Sequence, residues 1–458
     1  MQSVIDYVEA NQGRFLEELK EFLRIPSIST DSRHRDDIQR AAQFLVKQFE
    51  QIGLTRAEIF STDGHPLVYA ERIEDPSLPT ILIYGHYDVQ PVDPIELWES
   101  PPFEPAVRDG ELYARGAADD KGQLFIHLKS VEAFLRTGTP LPVNVKYLIE
   151  GEEEIGSPNL DPFVRAHKDL IDADAVVISD TAMFARDIPS ICYGLRGLAY
   201  LEIELVGPER DLHSGSFGGA VANPAFELAR LLASMKDEKH RITIPRFYDD
   251  VRELTQRERE EFASLPFDIE AYKKDLGVAE LAGEEGFTPL EQLWARPTLE
   301  INGFLSGFTG EGAKTVLPSK AMAKVSMRLV PDQDPDKVAD LFEEYVQSKA
   351  PATTRPYIKR LHGGRPWVAD LEHPAMKAAA NAVEKGFGKR PVFQREGGSI
   401  PVVATFAEIL KVPSVLMGIG LPDENAHAPN EKLDLQNFRR GIISSAYFFT
   451  EFSRLAAA

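Results

Sequence analysis

The chain opens with two stretches whose apolar positions recur at helical spacing: Phe15, Leu19, Phe22 and Leu23, then Ile38, Ala41, Ala42, Leu45 and Phe49. Both predict amphipathic helices, the second stopped by Gly53. The rhythm then changes. Residues 81–84, 145–149, 175–178 and 415–419 are short, continuously apolar runs that end in polar residues. Each is too short for a helix, and unbroken apolar character predicts strands covered on both faces. With helical patterns at 122–135 and from about Pro374, the expectation is an α/β fold: a doubly wound, mostly parallel sheet.

Between about Leu198 and Leu361 apolar and polar residues alternate instead. Leu201, Ile203 and Leu205 interleave with Glu202 and Glu204, and Ala323, Val325 and Met327 with Lys324 and Ser326. These predict half-exposed strands of an antiparallel or mixed sheet with one wet face. Asn223-Pro224 and Asp334-Pro335 each predict a helix start, and the charged stretch 257–261 reads as a solvated helix face. The expected organisation is a first part of the α/β domain at 1–197, an inserted smaller α+β domain at 198–371, and the α/β domain resumed at 372–458.

Composition narrows the picture. A chain of 458 residues exceeds what one hydrophobic core usually supports, in keeping with two domains. Seventy-two acidic against fifty-one basic side chains give a formal charge of −21, with Lys and Arg interleaved among Asp and Glu. Such a field repels nucleic acid and anionic membranes and favours solubility. Cys192 is the only cysteine, so internal disulfides and cysteine-based metal sites are excluded. Its apolar neighbours Ile191 and Tyr193 mark it as buried and structural. No leader-like segment starts the chain and no apolar run approaches a membrane span, so a soluble, cytoplasmic protein is expected.

Sites in open parallel sheets form beyond the carboxyl ends of the strands. Here 81–84 leads into Gly85-His86-Tyr87-Asp88, 145–149 into Glu150-Gly151-Glu152-Glu153-Glu154, and 175–178 into Ser179-Asp180. The run 415–419 leads, a few residues on, to His427. The loop Arg115-Gly116-Ala117-Ala118-Asp119-Asp120-Lys121-Gly122 adds two carboxylates just before a helix. Singly, such residues are usually structural or solvated. Their repetition at one sheet edge leaves a metal site and a merely polar edge as equal alternatives.

The strings themselves resemble the co-catalytic metallopeptidase family of carnosine dipeptidases, aminoacylases, succinyl-diaminopimelate desuccinylase and carboxypeptidase G. The resemblance covers nearly the whole chain, from Phe22-Leu23-Arg24-Ile25-Pro26-Ser27-Ile28-Ser29 onward. It is closest to the carnosine and cytosolic nonspecific dipeptidase branch. That branch is carried by residues 150–157, by Arg395-Glu396-Gly397-Gly398-Ser399-Ile400-Pro401, and by His427 followed by Asn430-Glu431-Lys432.

The resemblance implies a dinuclear site, with His86 and Asp180 on one ion, Glu154 and His427 on the other, and Asp119 bridging them before a cis peptide bond. Two divalent ions per chain follow, zinc ahead of manganese or cobalt; nitrogen and oxygen ligands without sulfur suit all three. Three carboxylates against two such ions leave a net positive charge that favours hydroxide over water. Asp88, two positions past His86, is implied to accept the proton on the other ring nitrogen; the alternative is a loop carboxylate capping backbone amides. Glu153 resembles the general base, kept apart from Glu154 because neighbours at a strand end point in opposite directions. Glu152 is expected to take no part. His213, in Asp211-Leu212-His213-Ser214-Gly215, matches a histidine that polarises the scissile carbonyl from the partner subunit. Arg328 matches a clamp for the substrate's C-terminal carboxylate. Thr315, His362 and Ser399 match further substrate contacts, with local hydrogen bonding as their alternative. Gly363-Gly364 and Gly397-Gly398 lack the context of a nucleotide loop and read as tight turns.

The implied function is a metal-dependent dipeptidase in which metal-activated water attacks the peptide carbonyl, acting as a homodimer formed through the inserted lid domain. Two alternatives stand beside it. An N-acyl-amino-acid deacylase or carboxypeptidase of the same family differs only in the pocket for the N-terminal side. A non-catalytic binding protein keeping the fold is marked by a missing ligand or base, and none is missing here. A phosphatase-type dinuclear enzyme is disfavoured by the scarcity of basic residues around the candidate ligands.

Overall fold

The computed structural model describes residues 1–398 and 400–456. The chain forms two compact units: Met1–Tyr193, Ala369–Gln394 and Pro401–Ala458 in one, Gly194–Val368 and Arg395–Ile400 in the other. The short segment Arg395–Ile400, read in the sequence with the resumed α/β domain, thus groups with the second unit.

In the first unit both N-terminal helices form where the apolar spacing places them, over Gln2–Leu23 and Arg35–Ile52. Every residue of those two stripes is buried. Gly53 ends the second helix with φ +101°, a left-handed cap that only glycine adopts freely. The continuously apolar runs become neighbouring strands. Asn144–Glu150, Thr80–His86, Ala175–Ile178 and Ser414–Leu416 lie side by side in that order and run parallel. The parallel expectation holds for these four central strands. Leu67–Arg72 and Arg56–Phe60 extend one side in antiparallel sense, and Ser190–Leu195 pairs antiparallel on the other through Cys192, which is buried. The sheet is therefore mixed. Each fully buried Ile, Val or Leu contributes about 1.5–3 kcal/mol of hydrophobic stabilisation, which is why unbroken apolar runs end up covered on both faces. The last run is a strand only to Leu416; residues 417–419 continue as irregular chain. Helices Lys121–Thr137, Pro374–Phe387 and Leu435–Ala456 pack together in this unit.

The second unit is built on a four-stranded antiparallel sheet in the order Thr298–Ser306, Lys320–Leu329, Gly197–Val206, Arg355–Gly364. Burial alternates residue by residue along the two central strands, as the sequence pattern requires. Leu201, Ile203, Leu205, Ala323, Val325 and Met327 meet the helices Pro224–Ala233 and Pro335–Lys349 in one core. Both helices start at the expected Asx-Pro pairs, where Asn223 and Asp334 accept the first free backbone N–H groups. The charged stretch lies in the helix Gln256–Ala263. Gly363-Gly364 is not a turn: both residues finish the strand Arg355–Gly364, opposite Ala199 and Leu198. A Cβ at Gly363 would come 3.0 Å from the Leu198 carbonyl oxygen, so close approach of two backbones, rather than chain reversal, suits glycine here. Among the described residues no helix is long and apolar enough to cross a membrane.

Candidate metal centre

The four parallel strands deliver their polar ends to one edge of the first unit's sheet. His86 is the last residue of Thr80–His86, in register with Glu150 at the end of the next strand. Asp180 follows Ala175–Ile178 by two residues, on the other neighbour of the His86 strand. Asp119 precedes the helix Lys121–Thr137, and His427 lies in the loop between Ser414–Leu416 and Lys432–Asp434. Two clusters result, His86–Asp119–Asp180 and Asp119–Glu154–His427, each with its donor atoms within 4.8 Å of one another. Asp119 belongs to both. Its Oδ1 is 3.1 Å from His86 Nε2 and its Oδ2 2.8 Å from His427 Nε2. His86 Nε2 lies 3.9 Å from Asp180 Oδ2, and His427 Nε2 3.3 Å from Glu154 Oε2. The peptide bond Asp119–Asp120 is cis, as the resemblance implies.

The electrostatics of the clusters call for added positive charge. Burial, with repulsion from Asp120 and Asp119, drives the Asp180 carboxyl well above the usual range. Hydrogen bonds to Asp119 and Glu154 raise His427 to about 10, and those to Asp119 and Asp88 outweigh burial to raise His86. Paired carboxylates therefore pull protons onto both imidazoles. Divalent cations on the same oxygen and nitrogen donors would supply that charge instead, so the residues present fit a metal centre.

Asp88 lies against both His86 and the turn carrying Glu153. His86 Nδ1 is 3.0 Å from the Asp88 carbonyl oxygen and 3.4 Å from its carboxylate. The carboxylate itself accepts the backbone N–H groups of Glu153, at 3.2 Å, and Glu154, at 3.1 Å. The amide-capping alternative thus describes its two backbone contacts. Those two glutamates do not sit on a strand end. The strand stops at Glu150, and Glu153–Ile155 is a turn of 3₁₀ helix closed by Gly156. Glu154 is fixed further by Gln90, whose amide donates to Oε2 at 2.7 Å. Burial pushes Glu153 up to about 7, against the pull of His86 and with repulsion from Glu154 and Asp119. Glu152 is turned away: it accepts from the His65 backbone and the Asn159 amide.

Sequence reasoning left several neighbours without a role. Asp120 accepts the His86 backbone N–H at 3.2 Å. Gly122 lets the Asp119 loop fold back, since a Cβ there would lie 2.0 Å from the Ala117 carbonyl oxygen. Glu431 accepts four hydrogen bonds from the loop ahead of Asp119. Only the motif Asn430-Glu431-Lys432 hinted at it. A cavity of about 410 Å³ opens beside the clusters, with Asp119, Asp180, Gln123, Thr181 and Asn425 in its wall.

The remaining candidates belong to the second unit, except that Ser399 lies outside the described residues. His213 ends the two-residue strand Leu212–His213, and its Nδ1 accepts the N–H groups of Gly215 and Ser216 at 3.1 and 3.3 Å. The ring proton is thereby placed on Nε2. Thr315 accepts the Ser214 N–H on its carbonyl oxygen. Arg328 lies on Lys320–Leu329 and lines a cavity of about 470 Å³ with Arg196 and Ser326; burial lowers its pKa. His362 packs edge-on against Tyr200, at the bulge in Arg355–Gly364.

Known proteins resemble this chain over nearly its whole length. The sequence pattern of peptidase family M20/M25/M40 matches residues 82–450. The chain is 35% identical over 457 residues to the Cys-Gly metallodipeptidase dug1 of Schizosaccharomyces pombe, covering 96% of each protein. It is 33% identical over 472 residues to the human Beta-Ala-His dipeptidase, covering 99% of this chain and 93% of that one. Among solved structures, the M20 family metallo-carboxypeptidase Sso-CP2 from Sulfolobus solfataricus superposes with a TM-score of 0.87 at 37% identity, covering 96% of this chain and 99% of that one. The chain belongs to peptidase family M20/M25/M40.

Proposed function

We propose that the protein is a dinuclear metal-dependent dipeptidase. The observation that carries this reading is the pair of nitrogen–oxygen clusters sharing Asp119. Relatives named as a Cys-Gly metallodipeptidase and a Beta-Ala-His dipeptidase support a dipeptide as substrate. His86 and Asp180 would hold one cation, Glu154 and His427 the other, and Asp119 both, with zinc preferred over manganese or cobalt. Such cations, when bound, make water acidic and polarise a carbonyl. Glu153 takes a proton from water and delivers it to the departing amine, so that hydroxyl ends on the carbonyl carbon and hydrogen on the nitrogen. In the metal-free chain burial raises its carboxyl to about 7. Arg328 offers a planar guanidinium for the free carboxylate.

His213, with Nδ1 engaged, carries its proton on Nε2 and can donate to the carbonyl oxygen as charge develops there. The family resemblance implies that this donor comes from a second subunit. A homodimer is further supported by the second unit's edge strand Thr298–Ser306, which exposes Ile301, Phe304 and Leu305. Mixing inactive His213→Ala and Glu153→Gln chains should restore activity in hybrid dimers; a fully active monomer contradicts the assignment. A cytoplasmic location accords with the acidic, cysteine-poor composition.

The second reading is a carboxypeptidase, favoured by the likeness to Sso-CP2. Assaying a dipeptide beside its N-acetylated counterpart separates the two. Preference for the free amine supports the dipeptidase, and preference for the blocked substrate overturns it.

A further inference from the structure

The motif Asn430-Glu431-Lys432 follows His427 by three residues, and its middle side chain is fully buried. Glu431 Oε2 accepts Arg115 Nη1 at 2.7 Å and the Gly116 N–H at 2.9 Å. Its Oε1 accepts the N–H groups of Ala118 at 2.9 Å and Asp119 at 3.1 Å. The Glu431 carbonyl oxygen accepts the Ala114 N–H as well. Arg115 is itself buried and donates through Nη2 to the Pro91 carbonyl. One carboxylate therefore organises the loop 114–119 up to the backbone of the residue shared by both clusters.

The same segment carries His427, whose side chain is 58% exposed and meets Asp119 and Glu154 through Nε2. The residues that follow it are pinned on both sides of Glu431. Asn430 Oδ1 accepts the Glu99 N–H at 2.8 Å and its amide donates to the Leu97 carbonyl at 2.9 Å. Lys432 reaches Glu111 and Asp423, each at 2.9 Å. Between these anchors Glu431 joins the His427 segment to the Asp119 loop.

We propose that Glu431 is a positioning residue that sets the spacing of Asp119 against His427, and so the affinity of the centre for its cations. The chemistry demands a carboxylate. Each oxygen faces two donors and must be an acceptor only, whereas glutamine would turn an NH₂ group toward N–H groups that have no other partner among the described residues. Removing comparable supports of metal ligands elsewhere costs about 10–100-fold in affinity.

The inference rests on the dinuclear reading, and one experiment separates the two. The metal-free full-length chain, its Glu431→Gln variant and its Glu431→Asp variant are titrated with Zn²⁺ against a chromophoric chelator, and the thermal midpoint of each metal-free form is recorded. The expectation is two equivalents bound by the unchanged chain, about 10–100-fold weaker binding of at least one by Glu431→Gln, and an intermediate loss in Glu431→Asp, which keeps the charge but shortens the reach. A purely structural residue would lower the midpoint and leave the affinities alone; that result overturns the proposal. If Glu431→Gln does not fold, Glu431→Asp decides, weakened binding supporting the proposal and unchanged binding overturning it. If the unchanged chain binds no Zn²⁺, the dinuclear reading fails and takes this inference with it.

Discussion

The Asp88 carboxylate accepts the backbone N–H of Glu153 at 3.2 Å. The loop that follows the His86 strand thereby holds the turn that carries both the proposed base and, through the other carboxylate oxygen, Glu154. Replacing Asp88 by Asn leaves one acceptor and points an amide NH₂ at the second N–H. The expected outcome is about 10–100-fold weaker metal binding. Equilibrium dialysis at fixed pH checks it, and hydrolysis at subsaturating metal should fall in parallel.

Glu153→Gln separates proton transfer from metal binding. Glu153 is not one of the residues grouped in either cluster. Its amide analogue should keep two equivalents of metal while kcat falls by about 10²–10⁴-fold, the usual contribution of general acid–base catalysis. Elemental analysis and steady-state kinetics on the same preparation decide the point. Near-normal turnover would remove Glu153 from the mechanism.

His127 predicts an acid-sensitive fold. Its Nε2–H donates to Ser179 Oγ at 2.8 Å, because that hydroxyl already donates to the Met417 carbonyl, and its Nδ1 accepts from Ser445 at 2.9 Å. Burial lowers the imidazole pKa to about 3, against roughly 6.5 in an unfolded chain. The folded value is the depressed one. The stability contributed by the neutral ring is therefore complete above about pH 6.5 and is lost as the pH falls toward about 3. Within that window this one group costs about 1.4 kcal/mol per pH unit. A His127→Gln variant should lose stability with acid less steeply, by one proton, when the unfolding midpoint is followed against pH.

Much of this architecture is legible in the sequence because its signals are local. The runs 81–84 and 175–178 had to be doubly covered strands, and strands of that kind deliver His86 and Asp180 to one edge. The alternation along 197–206 and 320–329 likewise required a one-sided antiparallel sheet. What escaped was set by partners far away in the chain. Glu153 and Glu154 read as the end of a strand, but Asp88 captures their N–H groups and curls them into a 3₁₀ turn. Gly363-Gly364 read as a turn because no local signal shows that the Leu198 carbonyl lies against it. Glu431 stood out only as part of a motif, since three of its four partners are backbone amides that carry no side-chain signature.

In the proposed centre His86, Asp119, Glu154, Asp180 and His427 together hold two cations that hydrolysis requires. It is tested most directly by counting bound metal while following cleavage of a panel of dipeptides, before chelation, after it, and after adding Zn²⁺ or Mn²⁺ back. Two equivalents per chain, loss of cleavage as they are removed, and recovery on their return are expected. Undiminished cleavage by a chain stripped of metal would contradict that requirement.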